Sequence, residues 1–363
     1  MSENYGSLHV QVEGCAYPVV LAPSVAGLGD AMGALGTPGR VVVVTNDVVG
    51  PLHADDAERS LKGSGWSPTR VTLPDGEAHK DLSTWRQLVE QILEAGVDRH
   101  TPVLALGGGV TGDIAGFAAA TALRGLPFVQ VPTTLLAMVD ASVGGKVGVN
   151  TARGKNLIGA FWQPQLVYAA VSTLSTLSDP ELRCGLGEVL KHAVLVGEQD
   201  LSALEHDAPA LRERDVDCLA RWVRRSVACK ARVVAADPRE AGVRATLNLG
   251  HTLGHAIESV AGFGQIRHGE AVAMGLVGVT RFAESRGWAA PGAARRLAAL
   301  AVNLGLPTQC PTNLDIEALC AAVAFDKKRG RATLTLVVPC APGRVELRPL
   351  PLGEVPELVK FLF

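Results

Sequence analysis

Three of the nine histidines fall in one stretch, NLGHTLGHAIESVAGFGQIRHGE, as His251, His255 and His268. His251 and His255 stand four residues apart, so on a helix both imidazoles share one face, a spacing that can hold a single divalent ion. An ion held by few protein groups keeps positions open for a substrate oxygen and acts as a Lewis acid. Spacing alone selects His251 with His255, against the plain alternative of an incidental pair. A carboxylate ligand could come from Glu188 in GLGEVLKHA, which shares a helix face with Lys191 opposite Leu182, Leu186 and Leu190. By itself that face reads as a solvated polar one.

A second feature is Gly107-Gly108-Gly109-Val110-Thr111-Gly112-Asp113, after TPVLAL and before IAGFAAATAL. Glycines let the backbone turn sharply and come close to a phosphate, and the helix that follows offers free amides with partial positive charge. A pyrophosphate would fit. The run satisfies G-x-G-x-x-G in form, yet it follows a late strand, and about twenty residues on lies PTTLLA with no acid for a ribose. It reads as a phosphate cradle outside the ordinary dinucleotide fingerprint, or as a packing turn.

Lysines in apolar surroundings are the third feature. Leu219, Val223, Val227, Lys230 and Val234 step by three or four residues, so Lys230 lies on an apolar stripe and needs an anionic partner. Lys146 sits in VGGKVGVN, and Lys155 and Asn156 in ARGKNLIGAF. Each alone reads as a surface lysine whose stem lies on apolar neighbours.

These groups need elements to hold them. Short β-branched runs at 19–21, 41–45, 70–73, 103–106, 128–131 and 166–169 alternate with helical patterns, which predicts a buried, mostly parallel sheet with helices between its strands. Leu82, Trp85, Leu88, Val89 and Ile92 recur at helical spacing, with Gly96 placed to end the helix. Beyond residue 174 the strand signal nearly vanishes until 333–338. Ser178-Asp179-Pro180-Glu181 there predicts a helix start, with a side-chain oxygen capping free amides and Pro where no amide hydrogen is needed. We expect a nucleotide-binding α/β domain over 1–174 with a mostly parallel sheet, an all-α metal- and substrate-binding domain over 175–363, and ligands in the cleft where they meet.

Composition agrees with an enzyme of this size. A chain of 363 residues with 47% hydrophobic and 19% charged residues is neither a single small module nor disordered. With 34 basic against 36 acidic residues, a net charge of -2 offers no field for nucleic acid. No apolar run approaches the ~20 residues that cross a bilayer, so no membrane partner is expected. The start, MSENYGSLHV, has neither a basic leader nor an apolar core, and a cytoplasmic protein is expected. Seven scattered cysteines without a C-x-x-C pair read as reduced thiols.

Taken together, PDGEAHK, GGGVTGD, VPTTLLAMVDASVGGKVGVN, GKNLIGAF, GLGEVLKHA, RATLNLGHTLGHAIE, HGEAVAMG and DKK resemble, in order and spacing, the 3-dehydroquinate synthases of the sugar-phosphate cyclase family. The resemblance covers nearly the whole chain. It implies an N-terminal α/β domain binding NAD, a C-terminal helical domain holding a divalent metal (zinc, with cobalt as the alternative), and a homodimer. The implied metal ligands are Glu188, His251 and His268, which overrules the His251–His255 pair and sends His255 to the substrate pocket. Asn46, Glu77 and Lys80 match positions on the adenosine side of NAD, and Glu77 would do the work of the missing ribose acid. Gly108, Gly109, Val110 and Asp113 match the pyrophosphate loop, and Thr133, Thr134, Thr176 and Leu177 match further NAD contacts.

The implied substrate is 3-deoxy-D-arabino-heptulosonate 7-phosphate, a small sugar carrying a carboxylate and a phosphate. Lys230 and Arg244 match its carboxylate binders. Lys146, Asn156, Asn248 and His255 match the phosphate side, with Arg124 reaching in from a partner subunit. Asp140, Lys155, Lys191 and Lys327 complete the pocket, Lys146 and Lys155 also lying toward NAD. The implied reaction takes a hydride from C5 to NAD, eliminates phosphate, returns the hydride, and closes the opened ring by an internal aldol to 3-dehydroquinate, a step of aromatic amino acid biosynthesis through shikimate. Cyclases acting on sedoheptulose 7-phosphate or glucose 6-phosphate handle no carboxylate, and Lys230 with Arg244 argues against them. An aminated form of the substrate would fit the same residues, and a metal-dependent polyol dehydrogenase is the alternative of another class. Three departures from the family pattern stand out: Arg239 where an acid is usual, Leu249 in place of an aromatic, and Ala193 in place of glycine. None removes a catalytic group.

Overall fold

The computed structural model describes residues 5–12, 14–238, 242–262, 264–325 and 332–363, and Arg239 and Lys327 lie outside them. The chain divides into two compact units, Met1–Leu177 with Leu219–Ala235 and Ser178–Cys218 with Ala236–Phe363. The division is not a single cut, because most of one long helix clusters with the first unit.

Among the described residues the first unit is built on nine strands: β1 (Gly6–Val12), β2 (Cys15–Ala22), β3 (Arg40–Asn46), β4 (Ser67–Leu73), β5 (Val103–Gly107), β6 (Phe128–Pro132), β7 (Lys146–Thr151), β8 (Gly154–Phe161) and β9 (Leu166–Ala170). Seven form one sheet in the order β1-β2-β9-β6-β5-β3-β4. β1 pairs antiparallel with β2, and every other neighbouring pair in that sheet is parallel. The apolar runs predict this, since a strand covered on both faces has no side for polar residues. Along β3, Val42 and Val44 face α3 (Leu82–Glu94) and α4 (Gly109–Thr121), whereas Val41 and Val43 face α1 (Leu28–Met32) and α2 (Asp55–Gly63). The helix predicted from Leu82 to Ile92 is α3; Asp81 accepts from the Thr84 amide at its start and Gly96 follows its end with φ +69°.

The sequence pattern missed β1 and the antiparallel pair β7–β8. Glycine and lysine break any period of two in VGGKVGVN, so the hairpin leaves no hydrophobic signature.

The chain visits β3, then β4 on one side, then returns across β3 to β5 on the other. The carboxyl ends of β3 and β5 therefore flank the point where the winding direction reverses, which is where parallel α/β sheets bind ligands. Asn46 ends β3 and Gly107 ends β5. The glycine run opens α4 on the far side of the reversal, which is why it follows a late strand.

The second unit is helical: α5 (Asp179–Val196), α6 (Glu198–Arg212), the ends of α7 (Val216–Ala236), α8 (His251–Ala261), α9 (His268–Ser285), α10 (Ala293–Asn303), α11 (Ile316–Phe325) and α12 (Val355–Lys360). One antiparallel hairpin, β10 (Thr333–Ala341) with β11 (Arg344–Pro351), grows from the late β-branched run, so the unit is helical with a hairpin rather than strictly all-α. Ser178 stands at the start of α5 with Pro180 in the first turn, but its side chain makes no capping bond. Asp179 instead accepts from Arg214 at 2.5 Å, tying the helix start to the end of α6.

Glycines let α5, α8 and α9 touch backbone to backbone. A Cβ at Gly187 of α5 would stand 2.1 Å from the Gly269 carbonyl oxygen, and one at Gly269 of α9 would stand 1.7 Å from that of Cys184. A Cβ at Gly275 of α9 would stand 2.1 Å from the carbonyl oxygen of Gly250, the residue before α8. No rotamer change relieves a clash between Cβ and backbone, so the helices would have to separate. We predict that Gly269→Ala lowers the stability of this unit by about 1–3 kcal/mol or more. Gly353→Ala, whose new methyl would meet open space, is the matched control in urea unfolding, and equal midpoints for the two variants would count against tight packing here.

Candidate active site

Each of those glycine contacts adjoins a metal-ligand candidate. Glu188 follows Gly187, His251 follows Gly250, and His268 precedes Gly269. Glu188 is fully buried, and its Oε1 lies 3.5 Å from Nε2 of both His251 and His268. The three donor atoms lie within 4.8 Å of one another. Two ligand atoms ~2.0–2.1 Å from a tetrahedral ion stand ~3.3 Å apart, so the spacing suits one ion with little movement.

The outer shell is formed as well. His251 Nδ1 lies 3.1 Å from the Leu249 carbonyl, and His268 Nδ1 lies 3.1 Å from Glu258 Oε2. Such partners fix which ring nitrogen is free to ligate. Both Glu188 oxygens are buried without a hydrogen bond, although Lys191 forms an ion pair with Oε2. A buried carboxylate with lone pairs to spare, facing two oriented imidazoles, fits a divalent cation.

Charge separates the two imidazoles. Burial pulls His251 down to about 3, with the Lys191 ammonium adding to the shift and Glu188 opposing it. Burial acts on His268 in the same direction, yet the carboxylates of Glu188 and Glu258 outweigh it and push the ring up to about 10. Glu188 itself is held well below the carboxylate range; burial would raise it, but Lys191 and the two imidazoles win.

The expected solvated face on α5 is therefore not solvated. Glu188 and Lys191 are 0% and 1% exposed, because α9 covers the side of α5 that carries them. His255 is exposed on α8, its ring 5.3 Å from that of His251 and 5.9 Å from that of His268. Its carboxylate neighbour in donor range is Glu258. Arg244 is buried in the 3-10 turn Val243–Asn248, donating from its backbone to Asp237 and from its guanidinium to the Pro238 carbonyl. Asn248 ends that turn, half-buried.

In the first unit the glycine run sits at the sheet's point of reversal. Gly108 precedes α4 without any side-chain cap, and a Cβ there would come within 3.1 Å of Thr134. At Gly109 it would come within 3.3 Å of Ala141. Bare backbone at the start of a helix with uncapped amides fits a pyrophosphate. Val110 is half-buried in the first turn, and the Thr133 amide donates to the Gly107 carbonyl at 2.9 Å, setting β6 beside the loop. Asn46 reaches across from β3, its Nδ2 3.4 Å from Thr111 Oγ1 and 2.6 Å from Asp75.

Lys80 is buried, with Nζ donating to Asp113 at 2.5 Å and to Asn156 at 2.6 Å. Burial raises the Asp113 carboxyl even though Lys80 opposes the shift. Lys155 lies 4.0 Å from Glu77 on β8, and Lys146 begins β7, exposed. Thr176 accepts or donates at 2.9 Å to His53 Nε2 and precedes half-buried Leu177. The anionic partner that the α7 stripe demands for Lys230 is Asp140, whose carboxylate and backbone carbonyl accept at 2.6 and 2.7 Å. Arg124 is exposed in a left-handed turn, φ +66°, beside exposed Leu123.

Comparison with known proteins now decides the family. The 3-dehydroquinate synthase N-terminal profile matches residues 70–184, and the C-terminal profile matches residues 185–329. A 3-dehydroquinate synthase from Pelobacter propionicus is 50% identical over 293 residues, 81% of each chain. The chain belongs to the 3-dehydroquinate synthase family. Among solved structures, the 2-epi-5-epi-valiolone synthase of Streptomyces hygroscopicus, with NAD+ and Zn2+ bound, is 28% identical, with TM-score 0.87 over 97% of this chain and 98% of its own. A 2-deoxy-scyllo-inosose synthase, complexed with carbaglucose-6-phosphate, NAD+ and Co2+, shares the fold at TM-score 0.90 and 24% identity, over 98% and 100% of the two chains.

Hydrogen bonding brings in two residues that carry no motif in the sequence, Glu258 and Asn150. Glu258 lies seven residues after His251, on the same helical face, and that period was the available signal. Asn150 gave none. We predict that Glu258→Gln weakens zinc binding about 10–100-fold, measured by competition with a chromophoric chelator. Unchanged affinity would show that the Glu258 contact does not orient His268.

Proposed function

We propose that the chain is a 3-dehydroquinate synthase, converting 3-deoxy-D-arabino-heptulosonate 7-phosphate to 3-dehydroquinate and phosphate with NAD and a divalent ion. The observation that carries this reading is the set of buried Glu188 with half-buried His251 and His268, an outer partner on each imidazole and an ammonium, Lys191, against the carboxylate. On this reading the first unit binds NAD and the second binds the metal through those three residues. When bound, NAD takes up and returns a hydride at C5, and the ion polarises the hydroxyl there.

The chain's own residues bind, orient and stabilise charge. Lys191, held in a dry setting, keeps positive charge where an alkoxide or enolate oxygen develops, and Lys230 does the same. Lys230 and Arg244 carry the charge that the substrate carboxylate calls for, Arg244 as a planar fork. Lys146, Asn156, Asn248 and His255 hold the phosphate, whose own oxygen takes the C6 proton as the C–O bond breaks, so geometry supplies most of the elimination. Asp140 restrains Lys230, and Lys155 and Lys327 add charge around the ligands. On the nucleotide side Asn46, Glu77 and Lys80 take the adenosine end, Gly108, Gly109, Val110 and Asp113 the pyrophosphate, and Thr133, Thr134, Thr176 and Leu177 line the remainder. The enzyme works as a cytoplasmic homodimer in which exposed Arg124 serves the partner's substrate.

Incubation with the heptulosonate phosphate, catalytic NAD and zinc is expected to release one phosphate per 3-dehydroquinate with no net NADH. Net NADH without phosphate would instead identify a polyol dehydrogenase. His268→Ala is expected to lose both metal and turnover, and Arg244→Ala to raise KM while retaining metal. Full zinc content and normal turnover in His268→Ala would remove the ligand assignment.

A further inference from the structure

Asn150 stands where β7 and β8 lose register, between the pairs Val149–Ile158 and Thr151–Gly154. Freed from the ladder, its polar atoms bond elsewhere. Its backbone amide donates to the Lys80 carbonyl at 2.8 Å, its Nδ2 donates to Glu77 Oε1 at 2.7 Å, and its Oδ1 accepts from the Asn156 amide at 2.9 Å. Asn156 is held at φ +53°, a left-handed conformation that a non-glycine residue keeps only when its surroundings enforce it. The Asn156 side chain in turn accepts from Lys80 Nζ. One side chain therefore joins the turn at 77–80 to the tip of the β7–β8 hairpin.

We propose that Asn150 is a positioning residue that sets Glu77 for the nucleotide ribose and Asn156 for the substrate phosphate at the same time. The proposal rests on the roles given to Glu77 and Asn156 above. Its chemistry is specific to a carboxamide. Glu77 needs a donor to fix its carboxylate, the Asn156 amide needs an acceptor, and asparagine supplies both from one short side chain. Aspartate keeps the acceptor, loses the donor, and sets a carboxylate against Glu77.

Asn150→Asp and Asn150→Ala separate the two functions. With NAD alone as the probe, Asn150→Asp is expected to bind about 10–100-fold more weakly at pH 8 and to recover as pH falls toward 5, since two facing carboxylates can share a proton. Its KM for the heptulosonate phosphate at saturating NAD should stay near that of the parent enzyme. Asn150→Ala should weaken NAD binding without pH recovery and should also raise KM, because the Asn156 turn is no longer held. A general loss of structure would give neither the pH recovery nor the split between the variants. Parent-like NAD affinity in Asn150→Asp at pH 8, with Glu77→Ala weakened, would overturn the proposal and leave the ribose role of Glu77 standing. Parent-like affinity in Glu77→Ala would overturn the ribose role, and with it the nucleotide half of the proposal.

Discussion

Direct backbone contact between helices is the constraint on which the proposed metal-ligand set depends. Glu188, His251 and His268 come from three helices, and each stands next to a glycine that lets one helix touch another. Side chains of ordinary length between α5 and α9 would part the axes by a few ångströms. The 3.5 Å spacings from Glu188 Oε1 to both imidazoles would then open beyond the reach of one ion. Small residues are thus as necessary to bringing these three side chains together as the side chains themselves.

Such closeness carries an electrostatic cost that local groups offset. A carboxylate with no exposure is tolerated because Lys191 and two imidazoles face it. The two rings, equidistant from Glu188, are shifted in opposite directions. Burial lowers His251, with the Lys191 ammonium adding to the shift, whereas at His268 the carboxylates of Glu188 and then Glu258 outweigh burial and raise the ring.

The first unit solves a different problem, presenting bare backbone to an anion without leaving the surrounding charges loose. Winding reversal between β3 and β5 opens a crevice at the carboxyl ends of these strands, and the glycine run places uncapped amides there. Lys80 then binds both Asp113 and Asn156, and Lys230 binds Asp140. Pairing keeps long, flexible side chains in one place, which favours binding because less freedom remains to be lost.

The strand runs and the α3 period were legible because burial on a sheet or helix writes its own repeat into the residues. So was the need of Lys230 for an anion, since an ammonium on an apolar stripe has few alternatives. Motif order carried the family, and local period could not have chosen among His251, His255 and His268. That choice turns on which imidazole faces Glu188, a residue more than sixty positions away, and on glycine contacts between helices that have no signature in either helix alone. The polar face of α5 read as solvated for the same reason: a helix does not record what lies across from it. The β7–β8 hairpin and Asn150 were invisible because turns and hydrogen bonds, rather than hydrophobic repeats, specify them. Sequence by itself determined the buried strands and the amphipathic helices that carry a hydrophobic repeat, and which face of each is apolar; packing alone decided which polar groups meet, because those meetings depend on distances between segments that the chain's order does not encode.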